Sequence, residues 1–170
     1  EALLSARIDL GPQVKGSSPV KFSIHDTDHK VIVMDSGTLK AVPYKTYILP
    51  ETFFLLGCHV NSPCKEKGGP IFLAVSKGKR CLCCVKAKGH RKPSLQLKIK
   101  QVPWPFIFYR TEVGSLNTLE SAAYPGWFIC TSRNSGEPIG VTNSRGRRKH
   151  TEFSFQEVPK VEMNPCEVRR

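Results

Sequence analysis

The chain has 170 residues, 39% hydrophobic and 24% charged, with 13 glycines, 13 prolines and a formal net charge of +12. That length and balance exclude a disordered chain and fit one globular domain that buries roughly two thirds of its unfolded surface. The charge excess points to anionic partners such as sulfated polysaccharide, nucleic acid, a membrane surface or an acidic protein face, and a basic surface that only aids solubility explains it too.

Residues 1–19 are broken by Gly11-Pro12 and Gly16-Ser17-Ser18-Pro19. They read as a flexible tail or pro-segment remnant, although Leu3, Leu4, Ile8 and Leu10 would share one helical stripe. Glu1-Ala2-Leu3-Leu4 lacks the basic and apolar regions of a secretory signal. No stretch approaches the ~18 apolar residues of a membrane span, so no membrane insertion is expected. The folded domain is placed at 20–160 and a C-terminal tail at 161–170.

From residue 22 the hydrophobic period is two. Phe22 and Ile24 alternate with Ser23 and His25, and Val31 to Met34 is a continuous apolar run of the kind buried on both faces. Asp26-Thr27-Asp28 and Asp35-Ser36-Gly37 are turns. Leu39 to Val42 and Phe53 to Cys58 complete a first group of four strands. A second group follows: Ile71 to Val75, Cys81 to Val85, Leu95 to Ile99, and Phe106 to Tyr109. The third has a short strand near Thr118, then Trp127 to Thr131, Ile139 to Thr142, and Phe153 to Phe155. Twelve short strands in three groups, repeating about every 45 residues, fit an all-β propeller fragment, sandwich or closed barrel. Three blades are too few for a propeller, and a barrel closed by three hairpins, the β-trefoil, removes its edges. Phe22, Ile24, Val33, Leu73, Val75, Leu97, Phe108, Trp127, Ile129 and Phe155 are the expected core.

The stretch from Phe106 to Thr131 organises the chain: two apolar runs joined through Gly114-Ser115 and Pro125-Gly126. It contains Ser121-Ala122, Pro125 and Phe128-Ile129-Cys130-Thr131, with Ile139 eight residues on. This pattern resembles the signature of the interleukin-1 cytokine family. Leu119 departs from it, standing where the family usually has Phe or Cys. Likeness extends through Lys21-Phe22-Ser23-Ile24-His25-Asp26, Asp35-Ser36-Gly37, Glu66-Lys67-Gly68, Val75-Ser76-Lys77-Gly78, Pro93-Ser94-Leu95-Gln96-Leu97 and Glu152-Phe153-Ser154-Phe155, covering about 20–165. The resemblance implies a twelve-stranded β-trefoil of three pseudo-symmetric repeats. It also implies release without a signal peptide, with a presence in cytoplasm and nucleus, and docking to immunoglobulin-like receptors. The branch of the family it is most like implies the interleukin-18 receptor α chain as partner and the single-immunoglobulin interleukin-1-receptor-related protein as co-receptor. An anti-inflammatory outcome, SMAD3 in the nucleus and homodimerisation are implied as well. Between Ile99 and Phe106 the chain carries a shorter segment than family members usually do.

The residues themselves offer little catalysis. His25, His29, His59, His90 and His150 each fall in or beside a turn, and no Ser or Cys sits in a nucleophile elbow. The expectation is no enzyme and no cofactor. Cys58, Cys64, Cys81, Cys83, Cys84, Cys130 and Cys166 are odd in number and lack zinc-site spacing, which predicts reduced thiols and no metal site. Residues 77–100 carry Lys77, Lys79, Arg80, Lys86, Lys88, Arg91, Lys92, Lys98 and Lys100 with no carboxylate among them. Arg145, Arg147, Arg148 and Lys149 form a second cluster. Both are candidates for heparin or heparan sulfate, with a merely solvated face as the alternative. Base-specific nucleic-acid reading is not expected, since no recognition helix, zinc finger or RNP-type strand is visible. Tyr44, Lys45 and Tyr47 sit in a loop bracketed by Pro43 and Pro50 and are candidates for a receptor or self-association interface. Loops 60–69 and 143–150 would share that rim. The competing class is a polyanion-binding trefoil of the growth-factor type, or a lectin.

Overall fold

The structure is a computed structural model and describes residues 6–8, 19–60, 68–100, 103–145 and 148–158. Fourteen strands and one helical turn are present among them: β1 (Ala6–Ile8), β2 (Val20–Asp26), β3 (Lys30–Asp35), β4 (Thr38–Pro43), β5 (Phe53–Val60), β6 (Gly69–Val75), β7 (Arg80–Val85), β8 (Ser94–Lys98), α1 (Pro103–Phe106), β9 (Phe108–Val113), β10 (Leu116–Ser121), β11 (Phe128–Ser132), β12 (Gly140–Thr142), β13 (Lys149–His150) and β14 (Phe153–Glu157).

Six strands close a ring of antiparallel pairings in the order β2, β5, β6, β9, β10, β14 and back to β2. Closure leaves no free barrel edge. The hairpin β3–β4, the hairpin β7–β8 and the pair β11–β12 hang from this barrel, one per repeat. The architecture is the β-trefoil, with repeats beginning at Val20, Gly69 and Leu116.

Turn chemistry fixes these registers. Asp35 pairs with Thr38 across Ser36 and Gly37, whose φ angles of 52° and 80° are those of a two-residue primed turn. Gly68 leads into β6, and a Cβ there would overlap the Arg110 carbonyl, so the close approach of that loop to β9 requires glycine.

The three repeats meet in one core. Ile24, Leu73 and Leu119 come from the first strand of each repeat, Ile32, Leu82 and Ile129 from the second, and Phe53, Phe108 and Phe153 from the last; all nine are buried. Leu119 is 1% exposed and fills the apolar place its departure from the family pattern left in question. A second, smaller core lies outside the barrel. There Phe106 and Ile107 pack with Phe72, Ala74, Cys81 and Cys83.

Several expectations are corrected. Ile24, Leu73, Val75, Phe108 and Ile129 are buried as expected, whereas Phe22, Val33, Leu97, Trp127 and Phe155 are only half-buried. Phe22 shares the face of Ile24 but lies nearer the strand end, where solvent enters the barrel mouth. Its ring stacks obliquely on Phe155 at 5.4 Å, and the Arg110 guanidinium lies 5.7 and 4.8 Å from the two rings. Trp127 belongs to the turn before β11, where its N–H donates to the Tyr124 carbonyl at 3.1 Å. The run at 106–109 is also divided. Pro103 and Pro105 open a single helical turn, where a missing N–H costs no hydrogen bond, and the strand starts at Phe108. The short strand expected near Thr118 is β10 (Leu116–Ser121), between the two apolar runs. Residues 6–8 are extended rather than helical, paired with Cys58 to Val60; the rest of the tail at 1–18 and residues 159–170 lie outside the described residues. His25 stands inside β2 and His59 inside β5.

Candidate functional site

Among the described residues no group of three or more His, Cys, Asp and Glu could hold a metal ion, and no helix is long and apolar enough to cross a membrane. The described cysteines, Cys58, Cys81, Cys83, Cys84 and Cys130, are buried free thiols; Cys64 and Cys166 lie outside the described residues. Burial pushes the Cys58 thiol up to about 12 and the Cys84 thiol to about 11, and raises Cys81, Cys83 and Cys130 in the same direction. A thiol held protonated is a poor nucleophile.

The loop after β4 is the most exposed apolar feature. Pro43 ends β4, and the Ile48 N–H closes a turn onto the Lys45 carbonyl at 2.8 Å. The Glu51 N–H returns the chain to the Ile32 carbonyl. Held at both ends, the loop presents Tyr44 at 52%, Tyr47 at 77% and Leu49 at 88% exposure, with Lys45 also exposed. Tyr44 and Leu49 border an open groove of about 580 Å³, whose floor includes Ser23, His25 and Gln156. The His25 ring lies 6.1 Å from Tyr44 and hydrogen-bonds Ser23 Oγ at 3.1 Å. Burial lowers the His25 pKa, against the opposing charge of Asp26. Leu49 and His25 were missed from sequence. The signal for Leu49 was available, an apolar residue inside a proline-bracketed loop; nothing local marked His25 as facing that loop. Residues 61–67, most of the 60–69 loop expected on the same rim, lie outside the described residues.

The basic candidates are exposed, and the structure regroups them. Lys77 and Lys79 ride the β6–β7 turn, where Ser76 N–H donates to Glu51 Oε2 at 2.8 Å. Arg80 borders a 260 Å³ cavity where all three hanging hairpins meet, through Thr38, Leu95 and Pro138 among others. Lys86, Lys88, Arg91 and Lys92 lie at the other end of β7, roughly 17 Å away at 3.3 Å per strand residue. There the Lys86 ammonium sits 5.7 Å from the Tyr124 ring. Arg145, from the loop after β12, lies 4.4 Å over Phe128. Arg148 and Lys149 are exposed at the other end of β11, where Lys149 pairs with Ser132, and Arg147 lies outside the described residues.

Most of the signature residues prove to be internal; Ala122 is half-buried and Pro125 exposed. Ser121 is fully buried; its N–H donates to Trp127 O at 2.8 Å and its hydroxyl accepts from Tyr124 N–H at 3.0 Å. Thr131 Oγ1 donates to Asp26 Oδ2 at 2.7 Å. The motif encodes the fold rather than a contact surface.

Comparison with known proteins agrees with that geometry. The family described as Interleukin-1 / 18 matches residues 49–155. Human interleukin-37 is 57% identical over 95% of this chain and 78% of its own length. Human interleukin-36 alpha is 38% identical, over 84% and 95%. Among solved structures, chicken interleukin 1 beta aligns with a TM-score of 0.71 at 27% identity, covering 82% of this chain and 96% of that one. The growth-factor-type alternative is thereby set aside: the chain belongs to the interleukin-1 family of cytokines.

Proposed function

We propose that this cytokine acts as an interleukin-37-like ligand, docking to the interleukin-18 receptor α chain and recruiting the single-immunoglobulin interleukin-1-receptor-related protein, with suppression of inflammatory signalling as the outcome. The observation that carries this reading is the 57% identity to human interleukin-37 across 95% of the chain. Tyr44, Lys45, Tyr47 and Leu49 supply the docking face, because aromatic and aliphatic side chains already held in an ordered loop give contact area at small entropic cost. The same loop is the candidate self-association surface. Release without a signal peptide and a nuclear role with SMAD3 belong to the same reading.

Titration against the interleukin-18 receptor α ectodomain at low and high salt tests it. Saturable binding that survives high salt and is weakened at least tenfold by Tyr47→Ala supports the docking face. Saturable binding indifferent to Tyr47→Ala, with the monomer–dimer balance also unchanged, removes this loop from the interface. No binding to that ectodomain refutes the receptor assignment.

A further inference from the structure

The sequence presents two separate basic clusters, and the fold brings parts of them to the two sides of one segment. β7 runs beside the turn at 121–127: the Ser121 hydroxyl is near enough to the Cys84 thiol to work against the rise that burial imposes on its pKa, and Lys86, two residues on, reaches the Tyr124 ring at 5.7 Å. The loop that follows carries Lys88, Arg91 and Lys92, all exposed. On the other side, Thr142 is the register partner of Phe128, and Arg145, three residues later, folds back over the Phe128 ring at 4.4 Å. Arg148 is exposed too, but it precedes Lys149, which pairs with Ser132 at the far end of β11 from Phe128. The carboxylate in the segment, Glu120, accepts the Gly126 N–H at 2.7 Å, and Lys149 lies in the field of Glu137.

We infer that Lys86, Lys88, Arg91, Lys92 and Arg145 form one composite site for a sulfated polysaccharide, laid across the 121–128 segment. Lys77, Lys79 and Arg80 are outside it, at the far end of β7. The chemistry favours sulfated chains over other polyanions. Single-stranded nucleic acid needs open aromatic faces for stacking, and here the Tyr124 and Phe128 rings are capped by cations. A membrane surface rewards apolar residues beside the basic ones, whereas the most exposed apolar side chains, Tyr47, Leu49 and Ile99, lie in other segments. A flexible chain of sulfates needs only spaced cations on a convex surface, each contact releasing a counterion. The site is independent of which receptor the cytokine binds.

A heparin dodecasaccharide tests the site with the full chain. Lys86→Glu with Lys88→Glu is expected to weaken binding at least tenfold, and Arg145→Glu separately at least fivefold. The pair should lower the slope of log affinity against log salt by about 2 and the single change by about 1. Lys77→Glu with Lys79→Glu is expected to change affinity less than twofold. Equal losses for all three variants, or a loss confined to one loop, would overturn the composite site. Lysine acetylation of the unmutated protein gives a readout free of folding effects: dodecasaccharide should protect Lys86, Lys88 and Lys92 but not Lys77 or Lys79, and uniform protection refutes the proposal. Displacement of the dodecasaccharide by single-stranded RNA or phosphatidylserine vesicles at equal anion concentration would overturn the assignment to sulfated chains.

Discussion

Thr131 and Asp26 lie 105 residues apart in sequence and 2.7 Å apart in space, hydroxyl to carboxylate, both buried. The same carboxylate accepts the backbone N–H groups of Asp28 and Lys30 at 2.9 Å and pairs with the Lys30 ammonium at 2.9 Å. Lys30 also approaches Asp28, which bonds His150 at 2.7 Å. One network thus ties the β2–β3 turn of the first repeat to β11 and β13 of the third. Removing one partner of a buried pair leaves the other uncompensated, so Asp26→Asn is expected to destabilise the fold by about 3–5 kcal/mol. Thr131→Val, which removes one donor, should cost about 1–3 kcal/mol. Chemical denaturation of both variants measures this; a loss under about 0.5 kcal/mol for Asp26→Asn would show the pair to be replaceable.

The same network predicts an acid limit. Burial disfavours the Asp26 carboxylate, and the hydrogen bonds from Thr131 and Lys30 more than offset it, holding its pKa below the ordinary 3.8. A depressed folded-state value contributes stability that is fully present above the unfolded value and lost as pH falls through the folded one. The melting temperature should therefore hold steady from neutral pH down to about 5 and fall below about 4. Asp26→Asn should flatten that fall, and an unchanged acid limb in the variant would assign the loss to other carboxylates.

Core substitutions should sort by repeat position. Phe53, Phe108 and Phe153 are at most 1% exposed and occupy matching places in the three repeats, so each change to Ala is expected to cost about 3–5 kcal/mol. Trp127 lies half-buried in a turn, and Trp127→Ala should cost only about 1–2 kcal/mol. Urea unfolding at a common temperature compares them; Trp127→Ala matching the phenylalanines would place its ring in the core.

Thiol reactivity provides a third check. With the five described thiols buried and their pKa values raised, native labelling by a thiol reagent at pH 8 should be slow at each. In denaturant, without reductant, five or more groups should react. Three or one reacting, of the seven in the chain, would mean that two or three disulfides form in solution.

Gly68→Ala tests the close approach of the loop to β9. The added methyl meets the Arg110 backbone, which cannot move without breaking β9 pairing, and a cost of about 1–3 kcal/mol is expected. An alanine variant as stable as the parent would show that the loop yields.

Hydrophobic alternation, turn residues and the Ser121 to Thr131 motif were enough to specify an all-β chain of three repeats and its family. These are local properties, since a period of two and residues such as Ser36-Gly37 act within a few positions of themselves. Depth within the barrel is not local. Phe22 and Ile24 carry the same strand signal on the same face, and only their distance from the barrel mouth makes one half-buried and the other fully buried. Charge partnership is not local either. Lys30 reads from sequence as a turn lysine, yet Asp26, Asp28 and the closure of β11 against the first repeat take it into the interior. The basic run at 77–100 reads as one cluster because the residues are contiguous, and β7 separates its ends by its own length. Conversely, Lys86 and Arg145 are remote in sequence and flank one segment, because the β9–β10 pairing brings the second and third repeats side by side. Residue chemistry and spacing set which strands and turns form; barrel closure, which pairs strands far apart in the chain, decided which of those side chains meet.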